Sequence, residues 1–124
     1  MFSVDAAHAV HPNVPEKSDP TNRPILNGGV VLKTSASQSY AGDCEAAAIA
    51  KALCQKYGIE AQHFVNRSDV VGGSTLGSIA STLLPIRTMD IGVGMLAMHS
   101  VREVIGATGQ LSLENLLRVF FSEA

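Results

Sequence analysis

Tryptophan is absent from this 124-residue chain, aromatic residues make up only 5% of it and charged residues 16%. So few aromatics argue against a deep aromatic ligand pocket and for close packing of small side chains, helix against sheet. Charge is equally sparse in pattern. The formal net charge is −2, and no stripe or cluster of Lys and Arg occurs, so the electrostatic footprint of a nucleic-acid binder is missing. No long apolar run exists either. The stretch from Ile91 to Met98 is broken by Gly92 and Gly94 and falls far short of the roughly 20 residues a membrane span needs. The chain opens on Met-Phe-Ser-Val-Asp, without a basic segment leading into an apolar one, so no signal peptide is expected and a cytoplasmic location is.

Cysteine is nearly absent too. Cys44 and Cys54 fall in one predicted helix, where the rise per residue separates them by about 15 Å. A disulfide needs Cα atoms within about 7 Å, so they cannot bridge each other. Two buried free thiols in a reducing compartment are expected. The sequence also lacks a G-x-S-x-G elbow, a phosphate-binding P-loop and a Glu-Glu pair.

What is present is 46% hydrophobic and long enough for one domain, or a piece of one, with a real core. Phe2-Ser3-Val4 reads as the end of a strand stopping at Asp5, and its start at Met1 reads as a cut within that strand. His11 to Asn27, rich in proline, reads as a surface loop. Gly29 to Thr34 is a β-branched strand. Asp43 is placed to cap a helix from Cys44 to Tyr57, which Gly58 would end. Glu60 to Val65 reads as a strand. Gly72-Gly73-Ser74-Thr75 opens a second helix that Pro85 ends, and Arg87 to Val93 is a third strand. Met98 to Ile105 is expected to be a short helix. A last helix is expected from near Ser112, with Leu113, Leu116, Leu117, Phe120 and Phe121 forming an apolar stripe. Alternating strands and helices predict an α/β fold, with helices packed on a mixed, mostly parallel sheet and no internal boundary over residues 1–124.

The densest group of candidate metal ligands is Asp5-Ala-Ala-His8-Ala-Val-His11. Residues three apart on a strand point to opposite faces, so Asp5 and His8 converge only if the strand stops near Asp5 and the chain turns. Both would then lie beyond a strand's carboxyl end, where open α/β sheets hold ligands. The plain alternative is a set of hydrogen-bonded turn residues. His99 follows the third strand in the same way, with Glu103 one helical turn on to orient its imidazole; the alternative is a histidine satisfied at a helix start. His63 reads as a surface residue. Gly72 to Thr75 reads as a tight turn and cap in preference to an anion site. Lys33, odd on an apolar strand, is either an edge-strand lysine or a partner for a substrate carboxylate.

Four stretches together resemble the aspartyl aminopeptidase family, the M18 metallopeptidases. They are Ser3-Val-Asp-Ala-Ala-His-Ala-Val-His-Pro-Asn13, Gly28-Gly-Val-Val-Leu-Lys33, Gly73-Ser-Thr-Leu-Gly77 and Met98-His-Ser-Val-Arg-Glu103. The resemblance covers essentially the whole chain. It implies that Asp5 and His99 are metal ligands and that His8, Lys33 and Tyr40 contact substrate. His11 belongs to the motif with a structural role. It further implies two divalent ions, usually zinc, and cleavage of an N-terminal Asp or Glu from peptides by a homo-oligomer. Ala6 stands where the family commonly has methionine, and Ser68-Asp69 where it often has Asn-Asp.

The family's early histidine ligand, its bridging aspartate and its Glu-Glu pair have no match here, so no catalytic residue is expected in this chain. The resemblance therefore implies the C-terminal part of a catalytic domain, inactive alone. Two alternatives stay open. One is a non-catalytic assembly or regulatory module that retains the fold. The other is a different binuclear aminopeptidase with another specificity for the N-terminal residue.

Overall fold

The computed structural model describes residues 1–123. Six strands form one sheet: β1 (Phe2–Val4), β2 (Ala7–His8), β3 (Val30–Lys33), β4 (Ala61–Phe64), β5 (Met89–Leu96) and β6 (Val104–Ile105). Three helices join them: α1 (Cys44–Lys56), α2 (Leu76–Leu83) and α3 (Ala107–Glu123). The main path runs β1-β5-β3-β4, with β2 and β6 also on β5. The β1–β5, β2–β5 and β3–β4 pairings are parallel, while β3–β5 and β5–β6 are antiparallel. The expected mixed, mostly parallel sheet with helices is therefore the observed one.

Period-two alternation gives the two central strands two unlike faces. On one face Val30, Leu32, Met89, Ile91 and Val93 join Ala46, Ala50 and Cys54 of α1 and Leu113 and Leu116 of α3 in the main core. The alternate residues Val31, Lys33, Asp90, Gly92 and Gly94 fall on the other face, where Val31 packs with Ala7, Tyr40 and Phe64. The apolar face makes the fold. The other face holds the buried polar groups Lys33, Thr75 and Asp90.

Several boundaries follow the sequence. Asp43 caps α1, accepting the Ala46 N–H at 2.7 Å, and Gly58 takes the left-handed backbone (φ 63°) just past its end. Others do not. Met98 to Ile105 is a turn followed by β6, not a helix, because β5 runs on to Leu96 and folds back in an antiparallel pair. α3 begins at Ala107, well before Ser112. Its first turn is capped from a distance: the Asn27 side-chain oxygen accepts the Thr108 N–H at 3.0 Å and the Thr108 hydroxyl at 2.8 Å. Cys54 is buried but Cys44 is exposed, which corrects the expectation of two buried thiols. Among the described residues no helix is long and apolar enough to cross a membrane.

Candidate metal and substrate site

Asp5 is presented by an interruption in a strand. Phe2, Ser3 and Val4 pair with Met89, Asp90 and Ile91, and Ala7 and His8 pair with Gly94 and Met95. The register offset is the same on both sides, so β1 and β2 are one strand that breaks at Asp5-Ala6. The Asp5 N–H still donates to the Ile91 carbonyl at 2.8 Å. Gly92 makes the break possible, because a Cβ there would lie 1.8 Å from the Asp5 carbonyl oxygen. This removes the geometric objection that Asp5 and His8 point apart on a regular strand.

His99 sits in the β5–β6 turn, where both Ala97 (φ 56°) and His99 (φ 67°) adopt the left-handed backbone. Such conformations are costly for residues with a Cβ and persist only where the surroundings impose them. Here the Ser100 N–H donates to the Ala97 carbonyl, and the His99 N–H donates to Glu103 Oε1 at 2.6 Å. Glu103 therefore orients the His99 main chain and not its imidazole, a consequence of the turn that replaces the expected helix.

Lys33 is not an edge-strand lysine. It lies on β3, between β5 and β4, and is only 2% exposed. Its Nζ donates to Asp5 Oδ2 at 2.8 Å and to the Ala6 carbonyl at 3.0 Å, and stands 4.4 Å from the Tyr40 ring centroid. Tyr40 is itself buried, and its hydroxyl accepts the Asn66 amide at 2.8 Å. Asp5, His8, Lys33, Tyr40 and His99 thus line one cavity of about 190 Å3, with Phe64, Gly73 and Ser74 on its wall. A larger groove of about 330 Å3 opens beside it and shares His8, Tyr40, Phe64 and Gly73. The two remaining histidines lie apart from that cavity. His11 lines the groove, and its Nδ1 accepts the Asn13 N–H. His63 is half-buried on β4, and burial of its ring, with the nearby Lys51 charge, lowers its pKa.

Burial of its ring, then the charges of Lys33 and His99, lower the His8 pKa below the usual 6.5. Neutral imidazole is the form that ligates metal or takes a proton. Carboxylate and imidazole are the donors zinc accepts, so Asp5 and His99 fit as part of a zinc donor set. They do not close one. Among the described residues no group of three His, Cys, Asp or Glu side chains could hold a metal.

Sequence reasoning missed Asp90 and Gly92. Asp90 is fully buried, and its Oδ2 accepts the Ala41 N–H at 2.5 Å and the Thr75 hydroxyl at 2.6 Å. It thereby ties the segment carrying Tyr40 and the loop carrying Gly73 and Ser74 to β5. The signal was Asp90-Ile-Gly-Val-Gly94, whose alternate positions leave a strand face with no apolar side chain.

The fold is the one found in solved aminopeptidase structures. The structure superposes with a TM-score of 0.94 and 37% identity on a chain of the Ape4 and Nbr1 complex, covering 97% of this chain and 23% of that one. It superposes with a TM-score of 0.82 and 25% identity on the S. cerevisiae mApe1 dodecamer, covering 98% and 26%. The profile of the aminopeptidase I zinc metalloproteases (M18) matches residues 1–121, and the chain belongs to that family. Among its relatives, the probable M18 family aminopeptidase 2 of Clostridium novyi is 58% identical over 86% of this chain and 24% of its own length. That of Clostridium acetobutylicum is 48% identical over 98% and 28%. The chain thus spans about a quarter of the length of these relatives.

Proposed function

We propose that this chain is the C-terminal part of the catalytic domain of a binuclear zinc aminopeptidase that removes N-terminal Asp or Glu from peptides. The observation that carries the reading is the single cavity gathering Asp5, His8, Lys33, Tyr40 and His99. In this reading Asp5 and His99 are two of the ligands of a site holding two divalent ions. Bound there, the ions supply Lewis acidity and a water whose pKa falls towards neutrality. His8, its pKa lowered by burial of its ring and by neighbouring charge, contacts substrate. Tyr40, its ring beneath the Lys33 ammonium, forms the adjoining wall. The Lys33 ammonium in the cavity wall suits an acidic side chain, which supports the preference for Asp or Glu. The larger groove next to His8 gives the rest of the peptide room to leave the cavity.

General base, bridging ligand and remaining ligands are proposed to lie outside this chain, so the chain alone is expected to be inactive. Homo-oligomeric assembly and a cytoplasmic setting belong to the same reading. An exposed free thiol at Cys44 is at home in a reducing compartment. The test is elemental analysis of metal per chain after gel filtration, with hydrolysis of aspartyl p-nitroanilide assayed on the same fractions. Weakly held, substoichiometric zinc without hydrolysis is expected. Two ions per chain with chelator-sensitive turnover would show that other residues of this chain complete the centre, and the half-site reading would fall.

A further inference from the structure

Thr75 stands at the N-cap position of α2, where a threonine hydroxyl ordinarily accepts a backbone N–H of the first turn. Here it makes no such bond, and α2 has no acidic residue in its first turn to stand in for the cap. The hydroxyl turns inward and donates to Asp90 Oδ2 at 2.6 Å. Asp90 is as unusual. It is fully buried on the polar face of β5 and has no ion-pair partner among the described residues. Oδ2 accepts from both Thr75 and the Ala41 N–H, while Oδ1 finds no donor among the described residues. A carboxylate buried on two neutral donors carries a desolvation cost, and a helix without its cap carries another.

What these two residues hold in return is one short segment. The Asp90 N–H donates to the Ala41 carbonyl at 2.8 Å, and the Thr75 N–H donates to the Ser39 carbonyl at 3.1 Å. Tyr40 lies between the two pinned residues, with its ring 6.1 Å from that of Phe64. Gly77 lets α2 come close enough for Thr75 to reach, because a Cβ there would lie 2.6 Å from Ser3 Oγ and 2.9 Å from Asp90 Oδ1. We infer that Asp90, working with Thr75, is a positioning residue for Tyr40. The pair fixes Ser39 to Ala41 against β5, so the Tyr40 ring stands as a rigid wall of the 190 Å3 cavity and the Gly73-Ser74 turn is set beside it. This rests on the reading of that cavity as the substrate's and deepens it: Tyr40 meets substrate, and Asp90 acts through Tyr40.

The whole chain offers a direct optical test, since it has two tyrosines and no tryptophan. Tyr57→Phe leaves Tyr40 as the one emitting tyrosine, and acrylamide quenching then reads how well it is shielded. Thr75→Val keeps the side-chain shape and removes the donor, and should raise the quenching constant several-fold at temperatures where the protein is folded. Thr75→Ser keeps the donor and should match the parent. Asp90→Ala should follow Thr75→Val, whereas Asp90→Asn retains an acceptor oxygen and should follow the parent. Hydrogen exchange adds a second readout: the Ala41 amide should exchange faster in Thr75→Val, with the Val31 and Leu32 amides as slow as before. A purely structural Thr75 would lower the melting temperature and leave Tyr40 shielded in the folded state. Unchanged quenching in Thr75→Val, equal quenching in Thr75→Ser and Thr75→Val, or exchange accelerated evenly across the sheet overturns the inference. Neither measurement needs metal or substrate, so a failed zinc or hydrolysis assay counts against the functional reading alone, and the quenching series decides whether Asp90 holds Tyr40.

Discussion

At the scale of single residues, His8 shows how environment converts an ordinary side chain into a tuned one. Its pKa is lowered by burial first and by the Lys33 and His99 charges next. The unfolded chain, with its ordinary value of 6.5, therefore takes up this proton before the native state does. Stability contributed by neutral His8 is intact above that value and is lost as pH falls through it towards the lower native value. Denaturant unfolding across this range should show the loss, and His8→Gln should flatten that part of the profile. An unchanged slope in the variant would mean the ring is not held neutral. The sequence showed His8 as a candidate but not this effect, because Lys33 and His99 are remote in the chain and meet it only through the sheet.

At the scale of elements, local chemistry was legible and remote chemistry was not. α1 could be read because its cap, its apolar residues and its terminating glycine lie in one continuous segment. The start of α3 could not, because its capping oxygen belongs to Asn27. The Met98–Ile105 segment was misread for a related reason: strand pairing with β5 and two left-handed residues override helix propensity. Gly92 is the sharpest case. In sequence it weakens a strand; in the structure it is what allows Asp5 to leave the ladder. Gly92→Ala would drive a methyl group into the Asp5 backbone and should cost more than about 3 kcal/mol. Gly73→Ala, where an added Cβ meets nothing within 4 Å, should stay within about 0.5 kcal/mol of wild type. Urea unfolding of the two variants separates a close-approach glycine from a turn glycine; equal effects would contradict the account of the strand break.

At the scale of the whole molecule, the sheet divides its labour by face, and the helices show how far each face is finished. α1 and α3 bury their apolar residues against one side. α2 covers part of the other, with buried Gly77 packed on Ser3 and Asp90. Its remaining surface is unusually apolar: Leu76, Ile79 and Leu83 are 81%, 56% and 76% exposed. Their spacing makes one stripe along the helix, and Leu84 and Ile86 extend it. Contiguous exposed apolar surface of this kind marks contact with another protein surface. In the homo-oligomer reading, a second copy is one surface that can cover it. Sedimentation velocity should then show concentration-dependent self-association of the wild-type chain, and Leu76→Lys with Leu83→Lys should abolish it. Because both side chains point to solvent, the double variant should melt close to wild type, which separates lost association from lost folding. A wild-type chain that stays monomeric at high concentration would remove α2 from the self-contact and leave its stripe to a different partner surface.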